Sequence, residues 1–146
     1  MYSTLLLLHS VLRYFVLILI IILVFKSLAG WMTRSVYTPN DNKISLFTLI
    51  FAHTQFLLGI FLYFSSPFVQ FSSETMKDPF IRYWTVEHIT VMLIAIVLIT
   101  VARSTSKKLA DGVARHRRLF ILNTIALMLI MAGIFLSGRG VFGMSA

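Results

Sequence analysis

Apolar residues fill four stretches of this chain, at about 4–29, 44–65, 83–102 and 119–137, each close to the twenty or so residues that a bilayer crossing needs. Charges and helix breakers gather between them, in GWMTRSVYTPNDNK, SSPFVQFSSETMKDPFIRYW and RSTSKKLADGVARHRR. Connections this short join antiparallel neighbours. The pattern therefore predicts an all-α integral membrane protein, a single domain over 1–146 folded as an antiparallel four-transmembrane-helix bundle. There is no internal repeat, low-complexity tract or prominent GxxxG pair.

Composition agrees with the pattern. Of 146 residues, 58% are hydrophobic and 12% charged, and mean hydropathy is +0.89. Without cysteine the chain has no disulfide, thiolate metal site or cysteine nucleophile. The first run reads as a span and not as a cleaved leader: Ser27-Leu28-Ala29 faintly resembles a cleavage site, but no positive charge precedes the run, which is long and contains His9 and Arg13.

Basic residues set the expected orientation. Lys26, Arg34 and Lys43 flank the first connection and Arg103, Lys107, Lys108, Arg115, Arg117 and Arg118 the third, against Lys77, Arg82 and Arg139 at the opposite end. The positive-inside rule puts the first and third connections in the cytoplasm and both termini on the outer, periplasmic side. A basic face toward anionic lipid accounts for the net charge of +8 without a nucleic-acid partner.

Ionisable residues inside a span are costly and mark functional sites. His9, His53, His88 and His116 are distributed one to a helix. Counted at about 1.5 Å per residue from Thr4, Ser65, Tyr83 and Ser137, His9 and His88 lie about 7 Å deep, His53 about 18 Å and His116 about 31 Å. Helices one and three sit on opposite corners of a simple bundle. Two imidazoles at one level on diagonal helices are what six-coordinate haem iron requires, one nitrogen on each face of the ring. Gly59 and Gly133 fall about 9 and 6 Å from the same boundary, where bare backbone leaves room for the macrocycle. Close helix packing around hydrogen-bonded histidines is the competing account.

Other polar groups attach to this layer. Arg13 lies one turn below His9 on the same face and Glu87 precedes His88; the two can pair with each other, or Arg13 or Arg82 can hold a haem propionate. Tyr14, Tyr83 and Trp84 can line the site or serve as interfacial anchors. His53 has Asn123 and Thr124 near its height as hydrogen-bond partners, and Gln55, Ala52, Ala95 and Ala126 leave some room there for a second haem or a quinone head. His116, in ARHRR, reads as a solvated interfacial residue; with His53 it forms a second haem pair only if the helix ends are displaced. Met128 and Met131 read as core filler. Catalytic triads, phosphate loops and zinc motifs are absent from the sequence.

The segments LHSVLRY, AHTQFLLGIFLYF, VEHITVMLIAIVLITVARS and RHRRLF together resemble a group of short bacterial, Bacteroidota-type, four-helix membrane proteins labelled cytochrome b, over nearly the whole chain. The resemblance implies haem b and a place in the bacterial inner membrane, and makes all four histidines candidate ligands in a pattern loosely similar to two-haem cytochrome b561. Only four spans are present here, and the inner pair is poorly matched in height.

The first functional expectation is a b-type cytochrome with one haem on His9 and His88, passing electrons between the quinone pool or a respiratory complex and an acceptor near the outer face. Two axial ligands leave no open position for oxygen chemistry, which favours a carrier over a catalyst. A haem-dependent oxidoreductase acting on quinol or porphyrinogen and a non-redox accessory subunit are the alternatives. Apolar faces all round also allow a homo-oligomer.

Overall fold

The computed structural model describes residues 1–138; Arg139, counted above among the basic residues, lies outside them. Four helices are long and apolar enough to cross a membrane: α1 (Tyr2–Met32), α2 (Pro39–Ser65), α3 (Pro79–Ser106) and α4 (Gly112–Leu136). No strand occurs among the described residues.

Each helix begins before its apolar run, and α2, α3 and α4 each begin at a side-chain cap. Thr38 caps α2 in a reciprocal box, its hydroxyl accepting from the Asp41 amide and its own amide donating to the Asp41 carboxylate, with Pro39 in the first turn. Asp78 and Asp111 cap α3 and α4, each accepting two backbone amides. At the far end of α1, Ser35 donates to the Gly30 carbonyl at 2.9 Å and Arg34 to that of Trp31 at 3.3 Å, a Schellman closure with Arg34 at φ 53°. Arg115 then ties off α3 by donating to the Leu109 and Lys107 carbonyls.

α1 packs against α2 and α4, and α3 against α4, while α2 and α3 meet more sparsely. α1 and α3 therefore stand on opposite corners. The core is built from Val16, Leu17, Ile20, Ala52, Ala95, Ile99, Ala126 and Ile130. Small and polar side chains, including Ser27, Ser45, Thr48, Ala102 and Asn123, are also buried, whereas Phe15, Ile18, Phe25, Phe61 and Phe135 stand about half exposed or more. Small residues inside let the helix backbones approach. At the basic end Lys26 pairs with Asp41 at 3.1 Å, and buried Arg103 donates to the Asn42 carbonyl at 3.1 Å, so Arg103 clamps α3 to the start of α2 as well as carrying charge.

Candidate functional site

A cavity opens at the end of the bundle that carries the N-terminus and the α2–α3 connection. Its interior offers about 120 Å³ to the centres of water-sized molecules, and it opens to the surroundings. Ser66, Val69 and Ser137 stand at one end, Ala52, Ala95 and Ile99 at the other, and the walls are mainly apolar. His9 from α1 and His88 from α3 both line it, together with Arg13, Gln55 and Gly59. The diagonal histidine pair expected from depth counting thus faces one space.

His9 is 8% exposed, and its ring lies against Gly59, where a Cβ would come within 3.3 Å of Cε1 and 3.9 Å of Nδ1. Nδ1 is buried without a hydrogen-bond partner among the described residues. The backbone carbonyl of His9 accepts from Gln55 Nε2 at 2.9 Å, while Gln55 Oε1 is buried and unsatisfied. Gln55 therefore belongs to the His9 layer and not to a space around His53. One turn deeper, the Arg13 guanidinium sits 5.1 Å from the centre of the Tyr14 ring and 3.4 Å from its hydroxyl.

His88 follows a π-helical turn, Tyr83–Glu87. Single π turns inside α-helices often occur at functional sites. This one brings the Tyr83 hydroxyl 3.3 Å from His88 Nδ1, and the same hydroxyl donates to the Gly133 carbonyl on α4. Trp84 stacks obliquely on His88, with ring centres 5.3 Å apart. Tyr63 reaches across from α2 to donate to the Thr85 carbonyl at 2.7 Å, pinning the turn from the sparse side of the bundle.

Other expectations need correction. Gly133 does not face the cavity: a Cβ there would come within 2.7 Å of Met92 Cε, and it is Met92 that lines the space. The glycine acts instead through close α3–α4 approach and its carbonyl. Glu87 is paired with Arg82 at 2.7 Å and not with Arg13, because the π turn puts both on one side of α3. Arg82 also donates to the Met76 carbonyl, and Arg13 lines the cavity wall.

The inner histidines meet different partners among the described residues. His53 places Nδ1 2.9 Å from its own-helix Leu49 carbonyl and Nε2 3.4 Å from the Thr100 hydroxyl on α3. Asn123 donates to the Leu119 carbonyl of its own helix instead of reaching His53. His116 is not solvated: it is 2% exposed, within α4, because that helix begins at Gly112. Its ring fills the gap left by Gly30, where a Cβ would overlap it at 2.5 Å, and packs 5.3 Å from the Tyr37 ring. Burial raises the phenol of Tyr37, in the α1–α2 connection, above its ordinary range; Asp41 adds to this, while Arg103 and Arg115 oppose it.

The Tyr83 contact escaped the sequence reading, since YWTVEH carries no signal for a π turn, whereas Thr38-Pro39-Asn40-Asp41 is a legible cap for the earlier start of α2. Among the described residues no three His, Cys, Asp or Glu side chains gather into a metal-binding group; His9 and His88 are the two imidazoles that line the cavity. Comparison with protein families, curated proteins and solved structures finds no match to this chain.

Proposed function

We propose that this chain is a b-type cytochrome of the bacterial inner membrane, with haem b held by His9 and His88. The observation that carries the reading is that two imidazoles from diagonal helices enter one mainly apolar cavity. Three further features support the fit. His9 Nδ1 is buried without a hydrogen-bond partner among the described residues, Gly59 leaves open backbone beside that ring, and Arg13 supplies a cation on the cavity wall for a propionate. When bound, haem supplies one-electron transfer. The protein's part is to provide two neutral imidazoles, exclude water with Val16, Leu17, Ile130 and Ile134, and pair the carboxylate charge.

Large apolar side chains outside and small or polar ones inside support insertion as a multi-pass membrane protein. In the proposed orientation the basic end lies in the cytoplasm, and both termini and the histidine cavity lie toward the periplasm. Lipid is then the immediate surrounding, and the quinone pool or a respiratory complex the redox partner. A second reading, an oxidoreductase acting on quinol or porphyrinogen, draws on the unsatisfied Gln55 Oε1, a buried acceptor suited to a substrate hydroxyl or N–H.

The test is the dithionite-reduced spectrum of detergent-purified protein from haem-replete cells. A low-spin b-type spectrum lost in both His9→Ala and His88→Ala supports the reading. A colourless preparation overturns it in favour of a non-redox accessory subunit. Turnover of quinol by the isolated protein favours the enzyme.

A further inference from the structure

We propose that Tyr83 is a positioning residue that holds the His88 proton on Nδ1 and so presents an unprotonated Nε2 to the cavity. The metal's identity rests on the cytochrome reading; the proton assignment rests only on hydrogen-bond geometry.

Tyr83 has a single phenolic proton, which it donates to the Gly133 carbonyl on α4. A carbonyl oxygen can only accept, so this direction is fixed. With its proton committed, the phenol oxygen can serve His88 Nδ1, 3.3 Å away, only as an acceptor. Nδ1 must then carry hydrogen. A neutral imidazole protonated there keeps its lone pair on Nε2.

Backbone geometry makes the contact available. In a regular α-helix, residues five apart are separated by about 500° of rotation, or about 140° around the axis, too far for one face. The i→i+5 bonding of the Tyr83–Glu87 turn brings Tyr83 round toward His88. Gly133, free of a side chain, lets α3 come close enough for the phenol to reach its carbonyl, and Tyr83 itself is 6% exposed. Metal-bound histidines commonly donate their second N–H to a fixed acceptor, which orients the ring and raises its basicity. His9 Nδ1 has no hydrogen-bond partner among the described residues, so the phenol that fixes the His88 proton has no counterpart there.

The test uses the full chain in detergent, haem-free, with histidine labelled in ¹⁵N. Long-range proton–nitrogen spectra report each ring's tautomer, and His88→Gln identifies the His88 signals. We expect hydrogen on Nδ1 in the parent and a mixture of tautomers in Tyr83→Phe, which keeps the ring but removes the acceptor. Hydrogen on Nε2 in the parent, or unchanged His88 signals in Tyr83→Phe, would overturn the proposal. If Tyr83→Phe does not fold, the parent tautomer alone decides. In haem-loaded protein the same variant is expected to bind haem about 10- to 100-fold more weakly and to show a higher midpoint potential, because a less basic His88 favours the ferrous state; an unchanged potential counts against the proposal. Failure of both proteins to bind haem overturns the cytochrome reading and leaves the nitrogen spectra to judge Tyr83.

Discussion

The imidazole of His9 rests on the bare backbone of Gly59: a Cβ at residue 59 would lie 3.3 Å from His9 Cε1. That distance is tight for one methyl group and prohibitive for a branched one, since packed interiors accommodate added carbons only by shifting their neighbours. Gly59→Val is therefore expected to turn His9 out of line, with at least a tenfold loss of bound haem and intact helical circular dichroism, whereas Gly59→Ala gives a partial loss. The reduced-minus-oxidised spectrum measures both. Normal haem loading in Gly59→Val would show that His9 does not need this space.

The four histidines separate into two kinds. His9→Ala and His88→Ala are each expected to abolish the six-coordinate spectrum. His53→Ala and His116→Ala should retain it, because His53 bonds to Leu49 and Thr100 and His116 packs between Gly30 and Tyr37. Removing the buried His116 ring should still cost about 2–4 kcal/mol of stability through the void it leaves. Gly30→Ala should cost about 1–3 kcal/mol from the opposite fault, overpacking. Detergent melting curves read beside the spectra separate packing from ligation.

Arg13 is the charged residue on the cavity wall. Arg13→Gln is expected to weaken haem retention about tenfold, the equivalent of one charge-assisted hydrogen bond at about 1.5 kcal/mol, without altering the spectrum. Haem transfer to an apoprotein acceptor measures the change. Unaltered retention removes Arg13 from the site.

Arg82 and Glu87, at 2.7 Å, lie where solvent reaches both side chains, which are 36% and 37% exposed. Exposed pairs contribute about 0–1 kcal/mol. Glu87→Gln should therefore lower stability by less than about 1 kcal/mol and leave the spectrum in place. A spectral change in this variant would tie Glu87 to the His88 ligand instead.

Thr38 supplies the hydroxyl in the α2 capping box. Thr38→Ala should cost about 1 kcal/mol with no effect on the cavity, some twenty residues along the helix from Gly59. A melting curve checks it.

Helix number, type and connectivity were legible in the sequence, because sustained apolar runs separated by charged connections leave few alternatives. So was the placing of His9 and His88 close enough to line one cavity, since residue counting converts to height along any straight helix. Helix starts were less so: Pro39, Pro79 and Gly112 open their helices just after the side-chain caps Thr38, Asp78 and Asp111, and an apolar window does not register a cap. For that reason ARHRR looked like an interfacial segment, while His116 lies buried inside α4.

The sequence by itself determined which residues share a height and a helix face, because rise and twist are properties of the local backbone. Only the tertiary structure decided what those residues meet. Glu87 turned to Arg82, Asn123 to its own helix, and Gly133 to Met92 and Tyr83, because side-chain partners depend on how neighbouring helices approach and on the single π turn before His88. That turn depends on non-local contacts, the Tyr63 bond to Thr85 and the Tyr83 bond to Gly133, and such contacts exist only once the four helices are assembled.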